Sequence, residues 1–100
     1  MIFQDYQKET MERLGRGYCH NGYYMGWDGK GKDSQEECNA VCLSEPQCTF
    51  AAWFRAQTCS RYNEATCNLN NDKNHMTYAK KSSGTLFRNH MRRFTKWWFS

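Results

Sequence analysis

The stretch Glu37–Cys59, ECNAVCLSEPQCTFAAWFRAQTC, constrains the fold more than any other part of the chain. Cys38, Val41 and Cys42 stand at i, i+3 and i+4, the spacing of neighbours on one helix face. Ser34 followed three residues later by Glu37 fits a capping box, and the acids Glu36 and Glu37 suit the positive end of a helix dipole. Pro46 ends the helix, because the residue before a proline is pushed out of helical geometry. A helix of about three turns is marginal alone, so the cysteines on its inner face are expected to hold it down. After the proline, Thr49–Phe54 alternates Phe50, Ala52 and Phe54 against Thr49, Ala51 and Trp53, the pattern of a strand. Arg55-Ala56-Gln57 turns the chain and Thr58–Tyr62 returns as a partner strand carrying Cys59. A pinned helix followed by a hairpin is the unit that the rest of the chain completes.

Six cysteines in 100 residues point to disulfide staples and therefore to an oxidising compartment. The candidates are the extracellular or secretory space and an organellar lumen, such as a thylakoid lumen or an intermembrane space. The opening MIFQDYQKETMERL has charges where the apolar core of a secretory signal would lie. The chain therefore reads as the mature or truncated form of a longer precursor. No run approaches the roughly 20 apolar residues of a membrane span. Charge is uneven: residues 1–18 carry three basic and three acidic side chains, and residues 19–83 carry seven of each. The whole net charge of +4 belongs to residues 84–100, which hold Arg88, Arg92, Arg93 and Lys96 and no acid. A neutral domain with a basic arm differs from a uniformly basic nucleic-acid binder, so nucleic acid is not the expected partner.

Three segments follow in chain order. Residues 1–16 read as an N-terminal arm, with a weak helix over 1–14 that Gly15 and Gly17 break. Residues 17–83 form the domain. Within it, Tyr18–Met25 is tyrosine-rich and suits an edge strand, and Asp28-Gly29 in the GWDGKGK loop suits a tight hairpin turn. The glycines of that loop lack the spacing and the Lys-Ser/Thr ending of a phosphate loop. Residues 63–74 are a polar, asparagine-rich loop around Cys67, and Met76–Lys80 reads as a closing strand. Residues 84–100 are a basic aromatic amphipathic tail.

Two cysteines four apart on a helix face the same way and do not readily bond each other, so each seeks a sulfur on the facing hairpin. Nesting the pairs gives Cys42–Cys48, Cys38–Cys59 and Cys19–Cys67, one of more than a dozen arrangements open to six cysteines. Cys19, ECNAVC, EPQC, TFAAWF, TCSRY with Cys59, Cys67 and MTYAK, in that order over about residues 17–81, resemble the PAN/apple domain family. The resemblance implies a small α+β fold with one helix on a curved antiparallel sheet. Two bridges would tie helix to hairpin, and a third would join the terminal strands. It also implies a module that binds protein or carbohydrate and has no chemistry of its own.

The residues themselves point the same way. Cys38-x3-Cys42 is not the usual zinc knuckle spacing and no second close pair completes a ligand set, so neither metal nor cofactor is expected. His20, His75 and His90 are scattered, with nothing in the sequence joining them to a nucleophile, which argues against an enzyme. Trp27, Tyr23 and Tyr24 are the candidate contacts for a ligand surface, whereas Trp53 and Phe50 suit the core. In the tail, Phe87, Met91, Phe94 and Trp98 follow helical spacing, with Arg88, Arg92 and Lys96 on another face and Trp97 flanking the stripe. A helix over residues 86–99 would be about 21 Å long, too short to cross a bilayer but suited to its interface or to a partner's groove. The alternative function is thus a structural accessory subunit of a larger membrane-associated complex in an oxidising lumen, anchored through its terminal arms.

Overall fold

A computed structural model of the chain describes residues 8–82. The chain divides into two units, one spanning Met11–Lys80 and the other taking in the two ends, of which Lys8–Thr10 and Lys81–Ser82 are described. The account below concerns the first.

The fold is small α+β: one helix, a five-stranded antiparallel sheet and three disulfides. In chain order the elements are β1 (Glu9–Arg16), β2 (Tyr23–Met25), α1 (Gln35–Ser44), β3 (Phe50–Phe54), β4 (Thr58–Tyr62) and β5 (His75–Ser82). Across the sheet the strands run β1-β5-β3-β4-β2. The central strand β3 pairs with β4 through Phe50↔Tyr62 to Phe54↔Thr58 and with β5 through Phe50↔Ala79 to Phe54↔His75.

α1 starts where its cap directs. The Ser34 hydroxyl accepts from the Glu37 N–H at 3.1 Å, with Glu36 and Glu37 in the first turn. It stops at Ser44, and Glu45, extended before Pro46, returns its N–H to the Cys42 carbonyl at 3.2 Å. β3 and β4 are joined by a turn in which Arg55 (φ 40°) and Ala56 (φ 63°) are both left-handed, closed by Gln57 N–H to Phe54 O at 2.7 Å. This is the primed turn that matches strand twist, built here without glycine or asparagine.

Period-two alternation gives the sheet two covered faces. On one, Ala51 and Cys59 pack with Cys38, Cys42 and Cys48 of the helix side, and Met11, Tyr24 and Trp53 lean on this cluster. On the other, Phe50, Ala52, Tyr62 and Ala79 pack with Cys19, flanked by Tyr18 and Cys67. The cover on that second face is irregular chain. Residues 17–20 and 68–70 run side by side through His20 N–H to Asn68 O, Asn70 N–H to Tyr18 O and a single Cys19↔Leu69 bridge. Each layer is stapled. Cys38–Cys59 ties the helix to the hairpin, Cys42–Cys48 ties it to the segment leading into β3, and Cys19–Cys67 clasps the irregular layer.

Three elements differ from the sequence expectations. Residues 9–16 are a strand, not part of a weak helix or arm. Glu, Met, Leu and Arg all favour helix intrinsically, and pairing with β5 overrides that preference. Tyr18–Met25 is not one strand. Gly22, at φ +87° and with no room for a Cβ against Glu64, bends the chain, so Cys19 joins the second-face layer and only Tyr23–Met25 pairs with β4. Asp28-Gly29 lies between a strand and the helix, not inside a hairpin. Its turn is made by the Asp28 carboxylate accepting the Lys30 N–H at 3.1 Å.

Candidate functional site

Arg61 sits on β4 two residues after Cys59, so it faces the helix as Cys59 does. Its β3 partner is Ala51, small enough to leave room for a guanidinium, and Arg61 is 1 % exposed. All five of its N–H donors are used. Nη1 and Nη2 reach the two Asp28 oxygens at 3.0 and 2.6 Å, and Nε and Nη2 reach the two Glu45 oxygens at 3.1 Å each. The remaining Nη1 hydrogen goes to the Cys59 carbonyl at 2.9 Å. Two bidentate carboxylates on one planar fork is the arrangement that arginine, and not lysine, can satisfy.

The network extends one step further. The Tyr24 hydroxyl donates to Glu45 Oε1 at 2.6 Å, and Lys80 Nζ donates to the Glu45 carbonyl at 2.9 Å. One buried side chain thereby ties together β2, the loop after it, the end of α1, β4 and β5. Hydrogen bonds from Arg61 hold the Asp28 carboxyl down at about 2 and keep that of Glu45 below the ordinary carboxylate range. Burial would lower the Arg61 pKa, but the bonds from the two carboxylates outweigh it and hold the guanidinium charged. Burial, reinforced by Glu45, pushes the Tyr24 hydroxyl well above its usual range.

Adjacent in sequence to one carboxylate of this clamp is the most exposed large hydrophobic residue among those described. Trp27, next to Asp28, is 80 % exposed, with Tyr23 at 49 % and Met25 at 40 %. Tyr23 packs edge-on against Tyr62 with centroids 6.0 Å apart, which props the ring on the sheet. Alternation turns Tyr24 to the helix face, where its hydroxyl is spent on Glu45, so among the three expected contact residues Trp27 and Tyr23 are exposed and Tyr24 is half-buried. Met25 joins them. β2 is an outer strand of the sheet. Trp53, expected in the core, packs against the helix cluster and donates its indole N–H to Lys32 O at 2.8 Å.

The sequence reading missed Arg61, Asp28 and Glu45 as a unit. The signal was there: an arginine two residues from a cysteine that must face the helix is an inward arginine, and it needs acids. All six cysteines are in disulfides, and no group of three or more His, Cys, Asp or Glu placed to hold a metal occurs among the described residues. Phe87, Arg88, Met91, Arg92, Phe94, Trp97 and Trp98 lie outside the described residues.

Fold and site together define a small disulfide-stapled α+β domain with a buried arginine–carboxylate network and exposed aromatic side chains at Tyr23 and Trp27. No family model, no curated protein and no solved structure matches the chain.

Proposed function

We propose that this chain is a PAN/apple-like binding module that makes protein or carbohydrate contacts through Trp27, Tyr23 and Met25 and performs no reaction of its own. The observation that carries this reading is Trp27: a large aromatic side chain, 80 % exposed, beside an aspartate locked to a buried arginine. An anchor held in place before binding loses little freedom when it binds, and aromatic anchors dominate interface energetics. The bridges Cys38–Cys59 and Cys42–Cys48 on the helix side support the reading, whereas Cys19–Cys67 joins irregular chain and not the terminal strands that the resemblance implies. The test uses the full chain on glycan arrays and in pull-downs from secreted and lumenal protein. Trp27→Ala with Tyr23→Ala is expected to weaken any ligand so found by about tenfold or more, since such anchors contribute about 2 kcal/mol. Ligands whose binding survives both changes would remove this surface from the function.

The composition of residues 84–100 favours a second reading, an accessory subunit of a membrane-associated assembly held through its arms. Four cations, no acid and a Trp-Trp-Phe run suit a lipid interface or a partner's groove. Deletion of residues 85–100 is expected to leave the disulfide domain folded and to abolish membrane or complex association in a flotation assay. A truncated chain that no longer folds would assign the tail to the core instead.

A further inference from the structure

Asn21-Gly22 is the only Asn-Gly step in the chain, and it lies between two anchored points. Before it, Cys19 is bridged to Cys67 and the His20 N–H donates to the Asn68 carbonyl at 3.2 Å. After it, the Gly22 carbonyl accepts the Asn63 N–H at 2.9 Å and Tyr23 pairs with Tyr62. Gly22, at φ +87°, is wedged against Glu64: a Cβ there would stand 3.0 Å from Glu64 N and 2.5 Å from Glu64 Cγ. Asn21 itself is exposed, and among the described residues no hydrogen bond holds its carboxamide or uses the Gly22 N–H. Glycine has no side chain to screen its nitrogen, so that nitrogen can reach the carboxamide carbon of the residue before it. The one Asp-Gly step, Asp28-Gly29, is open to the same attack in principle, but there the structure opposes it. Both Asp28 oxygens are held by Arg61, at 3.0 and 2.6 Å, and one also accepts the Lys30 N–H at 3.1 Å. Turning the Asp28 carboxyl carbon toward Gly29 N would give up all three bonds.

We propose that Asn21 is a self-modification site, whose conversion to isoaspartate lengthens the main chain and releases β2 from β4. The Gly22 nitrogen gives up its proton to water and bonds to Asn21 Cγ, and the carboxamide nitrogen takes a proton from water and leaves as ammonia. The five-membered imide so formed is opened by one water molecule. Opening at Cγ yields aspartate. Opening at the main-chain carbonyl yields isoaspartate, in which the main chain runs through Cβ and Cγ. The added carbon lengthens the path by roughly 1.5 Å, one carbon–carbon bond. The Cys19 side is fixed covalently, so the displacement falls on Gly22, which has no slack against Glu64, and on its bond from Asn63. β2 is an outer strand of three residues, so that bond is a large share of what holds it.

The test incubates the full-length chain, disulfides intact, in mildly alkaline buffer and takes two readouts. Peptide mapping with electron-transfer fragmentation separates aspartate from isoaspartate at each site, and hydrogen exchange follows the Asn63 amide. Asn21 is expected to convert at least about tenfold faster than any other asparagine and than Asp28. In the isoaspartate form the Asn63 amide should exchange roughly tenfold faster, as expected for the loss of about one hydrogen bond. Freshly prepared Asn21→Asp adds the charge without the extra main-chain carbon, and Asn21→Gln carries a longer carboxamide that cyclises poorly. Both should keep the slow exchange. Faster conversion at another site would overturn the proposal, as would an isoaspartate form whose Asn63 amide exchanges as before. Fast exchange in fresh Asn21→Asp would also overturn it, by making charge and not chain length the cause.

Discussion

Arg61 organises more of this domain than any apolar residue does. Four of its five bonds bind two carboxylates that are remote in sequence, and losing it would strand Asp28 and Glu45 at partly buried positions. Removing one partner of a buried ion network typically costs about 3–5 kcal/mol. The carboxylates here are still 23 % and 19 % exposed, so Arg61→Ala is expected near the lower end, about 3 kcal/mol in urea unfolding. Arg61→Lys should recover only part of that loss, since an ammonium cannot serve both carboxylates bidentately. The pH dependence follows from depressed carboxyl groups. Folding favours their charged forms, so this contribution is complete above the ordinary carboxylate range near 4. It is lost as pH falls to about 2, where Asp28 protonates in the folded state. Unfolding followed from pH 6 down to 2 should show that loss in the native chain and a flatter profile in Arg61→Ala. An equal slope in both would remove Arg61 as its cause. At the alkaline end, burial raises the Tyr62 hydroxyl to about 12, so its ultraviolet titration should lag behind the ordinary tyrosine range near 10.

At the scale of elements, the turn between β3 and β4 is where local preference and fold disagree. Arg55 and Ala56 both take a backbone that glycine adopts freely. Ala56→Gly is expected to raise stability by about 0.5–1 kcal/mol, read as a higher melting temperature. The relief of strain there exceeds the added freedom of the unfolded chain. A lower melting temperature would mean that the methyl group packs in the turn. The same contrast explains what was legible in the sequence. α1 could be placed from Ser34, the paired cysteines and Pro46 because each of those signals acts within a few residues. The hairpin was legible from the alternation in TFAAWF and TCSRY. β1 was not, since its strand state comes from a neighbour more than 60 residues away. Trp27 stood out because glycines surround it, whereas the Arg61 network joins positions 16, 21 and 33 apart and leaves no short-range trace.

At the scale of the whole molecule, the bridges divide the work unequally. The cysteines of the three pairs are 48, 21 and 6 residues apart. In the chain-entropy picture, closing loops of those sizes stabilises by about 4, 3 and 2 kcal/mol. Replacing Cys19 and Cys67 by Ala should therefore cost more in urea unfolding than replacing Cys42 and Cys48. A reversed order would mean that the buried sulfurs near α1 matter more for packing than for restricting the unfolded chain. The Cys19–Cys67 bridge has a mechanical meaning as well. Any pull applied at the two ends of residues 8–82 strips β1 and β5 from the sheet and then meets that covalent link, so the backbone of the helix, β2, β3 and β4 is bypassed. Under such tension only residues 8–18 and 68–82 can pay out, roughly 26 residues or about 90 Å of extended chain. Everything that braces Trp27 from within residues 19–67, Arg61 and both its carboxylates included, stays shielded from load until that one bond is reduced.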